Sequence, residues 1–371
     1  MNYPRSMLQS KIFSVFLIFC FHPLFVGAIY GGKNVEDPNK YPWIVRIGGC
    51  NDGKESGTKI FHILLNDREC YDFCGGSIIS ENVVMTAGHC IYEHLNSKMQ
   101  IRDGLRLKVY AGHSDLNSNR LKKYLVKSVI MNPLYKSSLN TPNDIALLVL
   151  SKNLQFSNEI QKIELPPAEC PIVASLPFYV DPFEQENVKF LTAGWGRAYN
   201  LREDFKNEYK SSDGKHKIVL ETLKYYHWVR SVYQKSEDPR NLQELEVKYH
   251  SNRECYSYFI TKFYKEEYVE KIKMKKNICA SGKVSHLEGA CHGDSGGPLM
   301  ALNMETKEYH VIGITSRGFL NKGCVSIIPN VFVKVSYFVP WIKTTLEDIQ
   351  TANQSFHNIT RCELNESFDV K

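Results

Sequence analysis

Beyond residue 28 the sequence has no long uncharged apolar run. A helix that crosses a bilayer needs about 20 mostly apolar residues, so the mature chain is expected to be soluble and to have no membrane partner. It also lacks a tight Cys-x-x-Cys pair, which disfavours a zinc site, and no metal is expected. Neither sign of charge dominates. Lys and Arg number 46 against 40 Asp and Glu, a net of +6. The lysines are scattered through polar loops, which suits a solvated surface better than a nucleic-acid site. With 371 residues, 43% hydrophobic and 23% charged, the chain is long enough for a large core.

What is present centres on Gly289-Ala290-Cys291-His292-Gly293-Asp294-Ser295-Gly296-Gly297-Pro298. A serine hydroxyl is a poor nucleophile at neutral pH and needs a base and oxyanion donors. Flanking glycines let a tight loop expose the hydroxyl and bring backbone N–H groups close to a carbonyl oxygen. A bare Gly-x-Ser-x-Gly would be read as a surface turn, but the longer string is more specific. Two segments supply partners: Thr86-Ala87-Gly88-His89-Cys90 and Asn143-Asp144-Ile145-Ala146-Leu147-Leu148. Alone, His89 reads as a core histidine and Asp144 as a turn or cap residue. Together with Ser295 they form a triad in the order His, Asp, Ser. An α/β-hydrolase places the serine first. Downstream of Ser295 there are only His310, which follows too closely, and His357, in a polar tail.

These three segments resemble the trypsin/chymotrypsin family of serine proteases, from Ile29 to about Ile349. The resemblance implies an all-β fold, with two antiparallel six-stranded β-barrels packed face to face and a C-terminal helix. It implies a serine endopeptidase in which Ser295 is the nucleophile, His89 the general base and Asp144 its orienter. Gly293 and Ser295 would donate the oxyanion-hole N–H groups. No cofactor is implied. The expected partners are protein or peptide substrates and protein inhibitors, and the chain is expected to be a monomer. The apolar runs agree with the fold. Strand-like stretches at 107–111, 125–130, 145–150, 188–193 and 331–335 suit two barrels. After Pro340, Ile342, Leu346 and Ile349 recur at helical spacing.

Residues 1–28 read as a secretory signal peptide: Arg5 and Lys11, then a short apolar run broken by His22-Pro23, then Val26-Gly27-Ala28. The run is short for a membrane anchor. The location is therefore expected to be secreted and extracellular. Ile29-Tyr30-Gly31-Gly32 resembles the family's activated amino terminus, whose ammonium would pair with Asp294. The family's usual Lys or Arg before this Ile is replaced by Ala28. Signal peptidase would then create the active terminus directly; a short pro-segment is the alternative. The domain is expected over 29–349, with barrels at roughly 29–165 and 187–335. A polar tail over 350–371 carries glycosylation sequons at Asn353, Asn358 and Asn365.

Eleven cysteines include Cys20 in the leader, which leaves an even ten for disulfides. The resemblance implies Cys74–Cys90, Cys255–Cys279 and Cys291–Cys324. The simplest pairing of the remainder is Cys50–Cys70 and Cys170–Cys362. Insertions at 48–71 and from after Gly196 to Leu242 are expected to border the cleft or to be surface padding. Departures from the family fall in the specificity pocket. Gly289 at its floor carries no charge, against cleavage after Lys or Arg. Gly318 and Asn330 would be walls, and Asn330 adds an amide. In Ser316-Arg317-Gly318 an Arg replaces the usual Trp. A small or medium uncharged side chain is the expected preference. The rival reading, a catalytically silent homologue that binds a partner, is weakened because the whole triad is present.

Overall fold

The computed structural model describes residues 29, 31–51, 70–137, 143–168, 187–196, 240–263, 276–284, 288–318 and 328–351. The signal-peptide and tail expectations, with the three sequons, lie outside these residues, as does most of each insertion.

Two antiparallel barrels make up the fold. The first contains β2 (Ile44–Asn51), β3 (Cys70–Ile78), β4 (Val83–Thr86), β5 (Leu105–Ala111), β6 (Lys122–Met131) and β7 (Ala146–Leu150). They close in the order β2-β3-β4-β7-β6-β5. The second contains β8 (Val188–Gly194), β9 (Gln243–His250), β10 (Asn277–Gly282), β11 (Pro298–Asn303), β12 (Tyr309–Arg317) and β13 (Asn330–Lys334). Its ring runs β8-β9-β10-β13-β12-β11 and closes through the β11–β8 pairing. Closure pairs each of these twelve strands on both sides.

Strand patterns show which faces are wet. In β6, Tyr124 and Val126 are half-buried while Lys123, Leu125 and Lys127 are exposed, the two-residue period of a one-sided strand. A bulge between Val126 and Ser128 then shifts the register against β7. By contrast β7 and β13 are buried along their whole length. The largest apolar cluster runs from Val45, Ile47 and Leu148 to Met300, Val311 and Val333, so it is continuous across both barrels.

Two boundaries differ from the sequence reading. Residues near the amino end do not belong with the first barrel. β1 (Lys33–Asn34) pairs with β9, Lys33 opposite Glu244. Ile29 is fully buried with Leu245, Ile278, Leu299 and Phe332 of the second barrel. The closing helix also starts earlier than expected. Helix α3 spans Val335–Thr351 with Pro340 inside it. Pro340 lacks the N–H that would reach back four residues, which made it look like a start signal. Val335, Phe338, Val339 and Ile342 are all buried in the common core, and that packing outweighs the lost bond. Helix α1 is Gly88–Tyr92 and α2 is Asn252–Phe263.

Phe332 is among the largest fully buried side chains, whereas Leu125 is 44% exposed. Phe332→Ala is expected to lower stability in urea unfolding by about 3–5 kcal/mol. Leu125→Ala should stay within about 0.5 kcal/mol.

Candidate active site

His89 enters the cleft on α1, directly after β4. The preceding Gly88 is required by packing: a Cβ there would press on the Tyr135 ring at 3.0 Å. The first turn of a helix has unpaired N–H groups, and Ala87 offers no side-chain cap. Asp144 takes that place. Its Oδ1 accepts the His89 N–H at 2.7 Å, and its Oδ2 lies 2.8 Å from His89 Nδ1. A buried carboxylate can only accept, so Nδ1 carries the proton and Nε2 keeps its lone pair. Ser316 Oγ donates to the same Oδ2 at 2.6 Å. Asp144, with no exposure, thus receives three hydrogen bonds. The preceding Asn143 adopts φ +54°, and its amide donates to the Leu134 carbonyl at 2.8 Å. Lys276 Nζ donates to its Oδ1 at 3.0 Å.

The shift at His89 is a balance. Burial pushes its pKa down, but the Asp144 carboxylate and its hydrogen bond more than offset this, and the value lies above the usual 6.5. A histidine with a raised folded pKa stabilises the fold at low pH. That contribution is lost as pH rises through the raised value.

Ser295 sits in a loop that joins β10 to β11 and docks on the first barrel. Gly293 and Gly296 take φ +97° and +78°, the left-handed region that favours glycine. Ser295's carbonyl accepts the Gly75 N–H at 2.7 Å. Gly75 follows Cys74, whose disulfide partner Cys90 follows His89. One hydrogen bond and one disulfide thus tether the serine loop to the histidine. Gly296 N–H donates to the Thr315 carbonyl at 2.8 Å, and Thr315 N–H returns a bond to Gly297 at 2.9 Å.

Asp294 is buried beneath this loop. Its Oδ1 accepts the Gly196 N–H at 2.7 Å and its Oδ2 the Cys291 N–H at 2.8 Å. Burial pushes its pKa up to about 7, against the two amides and the Arg46 charge. With the folded value above the usual 3.8, the folded chain holds the extra proton, and stability falls as pH rises between the two.

Asn330, the first residue of β13, reaches over Gly289. Its Oδ1 accepts the Ala290 N–H at 3.0 Å, and its Nδ2 donates to the Ala290 carbonyl at 3.5 Å. A Cβ on Gly289 would overlap that Oδ1. Arg317 and Gly318 follow at the end of β12. A register shift between Thr315 and Arg317 makes a bulge around Ser316, and bulges re-aim side chains. Arg317 is partly buried, and its charge acts on both His89 and Asp144.

Residues 29–217 and 227–342 match the sequence profile of the Trypsin family. The chain belongs to the trypsin family of serine proteases. It is 27% identical over 326 residues to the clotting factor G beta subunit of Tachypleus tridentatus, covering 87% of this chain and 81% of that protein. It is 28% identical to serine proteinase stubble of Drosophila melanogaster, covering 85% of this chain but only 30% of that protein. Trypsin-1 of Astacus astacus is 28% identical, with 74% of this chain and 87% of that protein covered.

Within this trypsin-family fold the disulfides Cys50–Cys70, Cys74–Cys90 and Cys255–Cys279 are formed. Cys291 is also disulfide-bonded. Cys324, Cys170 and Cys362 lie outside the described residues. Sequence reasoning placed Ser316 only in the substrate pocket, whereas it bonds Asp144. It missed Arg46 and used Gly196 only to mark where an insertion begins. Arg46 reaches the serine loop from the other barrel and Gly196 from just after β8 of the same barrel, contacts that no local motif signals.

NMR titration of the His89 imidazole should give a pKa above the ordinary 6.5. With Asp144→Asn the burial effect is left uncompensated, and the value should fall below that of the native protein. An unmoved value would contradict the assigned balance.

Proposed function

We propose that this chain is a secreted serine endopeptidase. The observation that carries the reading is the pairing of the half-buried His89 with the buried Asp144, tethered to the serine loop through Gly75 and the Cys74–Cys90 bridge.

Ser295 Oγ attacks the scissile carbonyl carbon as its proton passes to His89 Nε2. The carbonyl oxygen becomes an oxyanion that accepts from the N–H groups of Gly293 and Ser295. Collapse breaks the C–N bond, and the amine leaves with the proton from His89. Water then attacks the acyl-enzyme ester, again giving a proton to His89, and that proton returns to Ser295 Oγ. Asp144 stays ionised throughout, holding the tautomer and stabilising the imidazolium. Every step is balanced with water and these side chains alone.

The amino terminus completes the reading. Cleavage between Ala28 and Ile29 frees an ammonium that pairs with Asp294. Secretion, cleavage of residues 1–28 and glycosylation of the tail belong to the same proposal, supported by the disulfides of the fold.

Primary specificity follows from Asn330. Its amide occupies the space above the uncharged Gly289 and bonds the chain's own backbone. A short pocket with no anion favours small or medium uncharged side chains. Arg317 adds positive charge beside the cleft.

The test is a peptide-library digest by protein from a secretory host. Cleavage is expected after small uncharged residues and not after Lys or Arg. Ser295→Ala should lose about 10⁴-fold or more in rate. Asn330→Gly should extend cleavage to larger side chains. No cleavage by native, correctly cut protein would favour the silent homologue instead.

A further inference from the structure

Arg46 is a buried cation that the reaction above does not use. It sits in the middle of β2, opposite Gly75 and Tyr110, and is 7% exposed. On the same strand Val45 and Ile47 point to the face opposite Arg46. The Arg46 side chain runs from the first barrel to the serine loop of the second, where Nη1 donates to the Gly293 carbonyl at 2.8 Å. The guanidinium lies close to that glycine. A Cβ on Gly293 would come within 3.3 Å of Nη1 and 3.5 Å of Nη2, and within 3.0 Å of the Gly196 Cα. The same charge acts on Asp294, the next residue.

Gly293 has more backbone freedom than any other residue type would have at that place. Its N–H can serve as an oxyanion donor only if the chain on both sides is held. On the amino-terminal side, Cys291 is held to Asp294 by two bonds: its N–H donates to Asp294 Oδ2 at 2.8 Å and its carbonyl accepts the Asp294 N–H at 3.0 Å. On the carboxyl side, the Gly293 carbonyl accepts from Arg46. A planar guanidinium can hold a carbonyl in one direction better than a flexible ammonium.

We propose that Arg46 is a positioning residue for the oxyanion hole, pinning the Gly293 carbonyl so that the Gly293 N–H stays aimed at the reacting oxygen. The proposal rests on the serine-protease reading above. Arg46 does not touch substrate. It acts from the opposite barrel, and so ties the arrangement of the oxyanion hole to the docking of the two barrels.

Oxyanion donors act in the transition state more than in substrate binding, and loss of one costs on the order of 100-fold or more in kcat. Misaiming one should therefore lower kcat and spare KM. The experiment compares native protein, Arg46→Met and Arg46→Lys, all secreted as the full chain. The substrate is a succinylated peptide p-nitroanilide with Ala at the cleaved position. Fluorophosphonate labelling counts the activated serine, and thermal unfolding counts folded protein. Arg46→Met is expected to lose about 10–100-fold in kcat with KM within about twofold. Arg46→Lys, which keeps one donor, should fall between Arg46→Met and native. Should Arg46→Met fail to fold, the Arg46→Lys kcat alone decides: a drop of about threefold or more at unchanged KM supports the proposal. Folded variants with native kcat would overturn it, as would a loss matched by the unfolded fraction. Native protein that neither turns over substrate nor takes the label would overturn the protease reading and this assignment together.

Discussion

The carboxylate of Asp294 has almost no contact with water, and an ion so placed must be matched by donors or neutralised. Two backbone amides match it, from Gly196 and Cys291, and the Arg46 charge lies near. These contacts come from three parts of the chain: the end of β8, the serine loop itself and β2 of the other barrel. The loop that carries Ser295 is therefore held from both barrels. The Gly75–Ser295 bond and the Thr315–Gly297 exchange complete the cradle. A match by two amides and one cation still leaves the carboxylate's pKa raised to about 7. Physically, such a site can take another positive charge, which is the place the proposed Ile29 ammonium would fill.

The His89 side of the candidate site is built on the same principle. Asp144 is buried and accepts from three donors, one of them the N–H at the start of a helix whose N-cap residue, Ala87, has no capping side chain. One carboxylate thus caps α1, orients the imidazole and receives Ser316 from the second barrel. Both acids bind across segment boundaries. The geometry of the candidate site therefore depends on contacts between the two barrels, which share one continuous core.

Much of this was legible in the residues. His89, Asp144 and Ser295 each have an ordinary reading alone, and became candidates because their three strings occur together in one order. The family resemblance implied Cys74–Cys90 and Cys255–Cys279, and Cys50–Cys70 was the simplest pairing across one insertion; all three are formed. What the sequence concealed was decided by distant placement. Arg46 stands in an ordinary strand run, and only the docking of the serine loop gives it a partner. Ser316 turns towards Asp144 because of a bulge that no residue type advertises. Pro340 looked like a boundary, but burial on both sides of it carried the helix through. Ile29 precedes the first barrel in sequence, yet its side chain is in the core of the second.

The most direct test of the account is to locate the reactive atom. Secreted native protein would be treated with a fluorophosphonate, digested and mapped by mass spectrometry, beside a sample unfolded before treatment. One adduct on Ser295, absent from the unfolded sample, is the predicted result. An adduct on another residue, or none in folded protein whose amino terminus is Ile29, would contradict it.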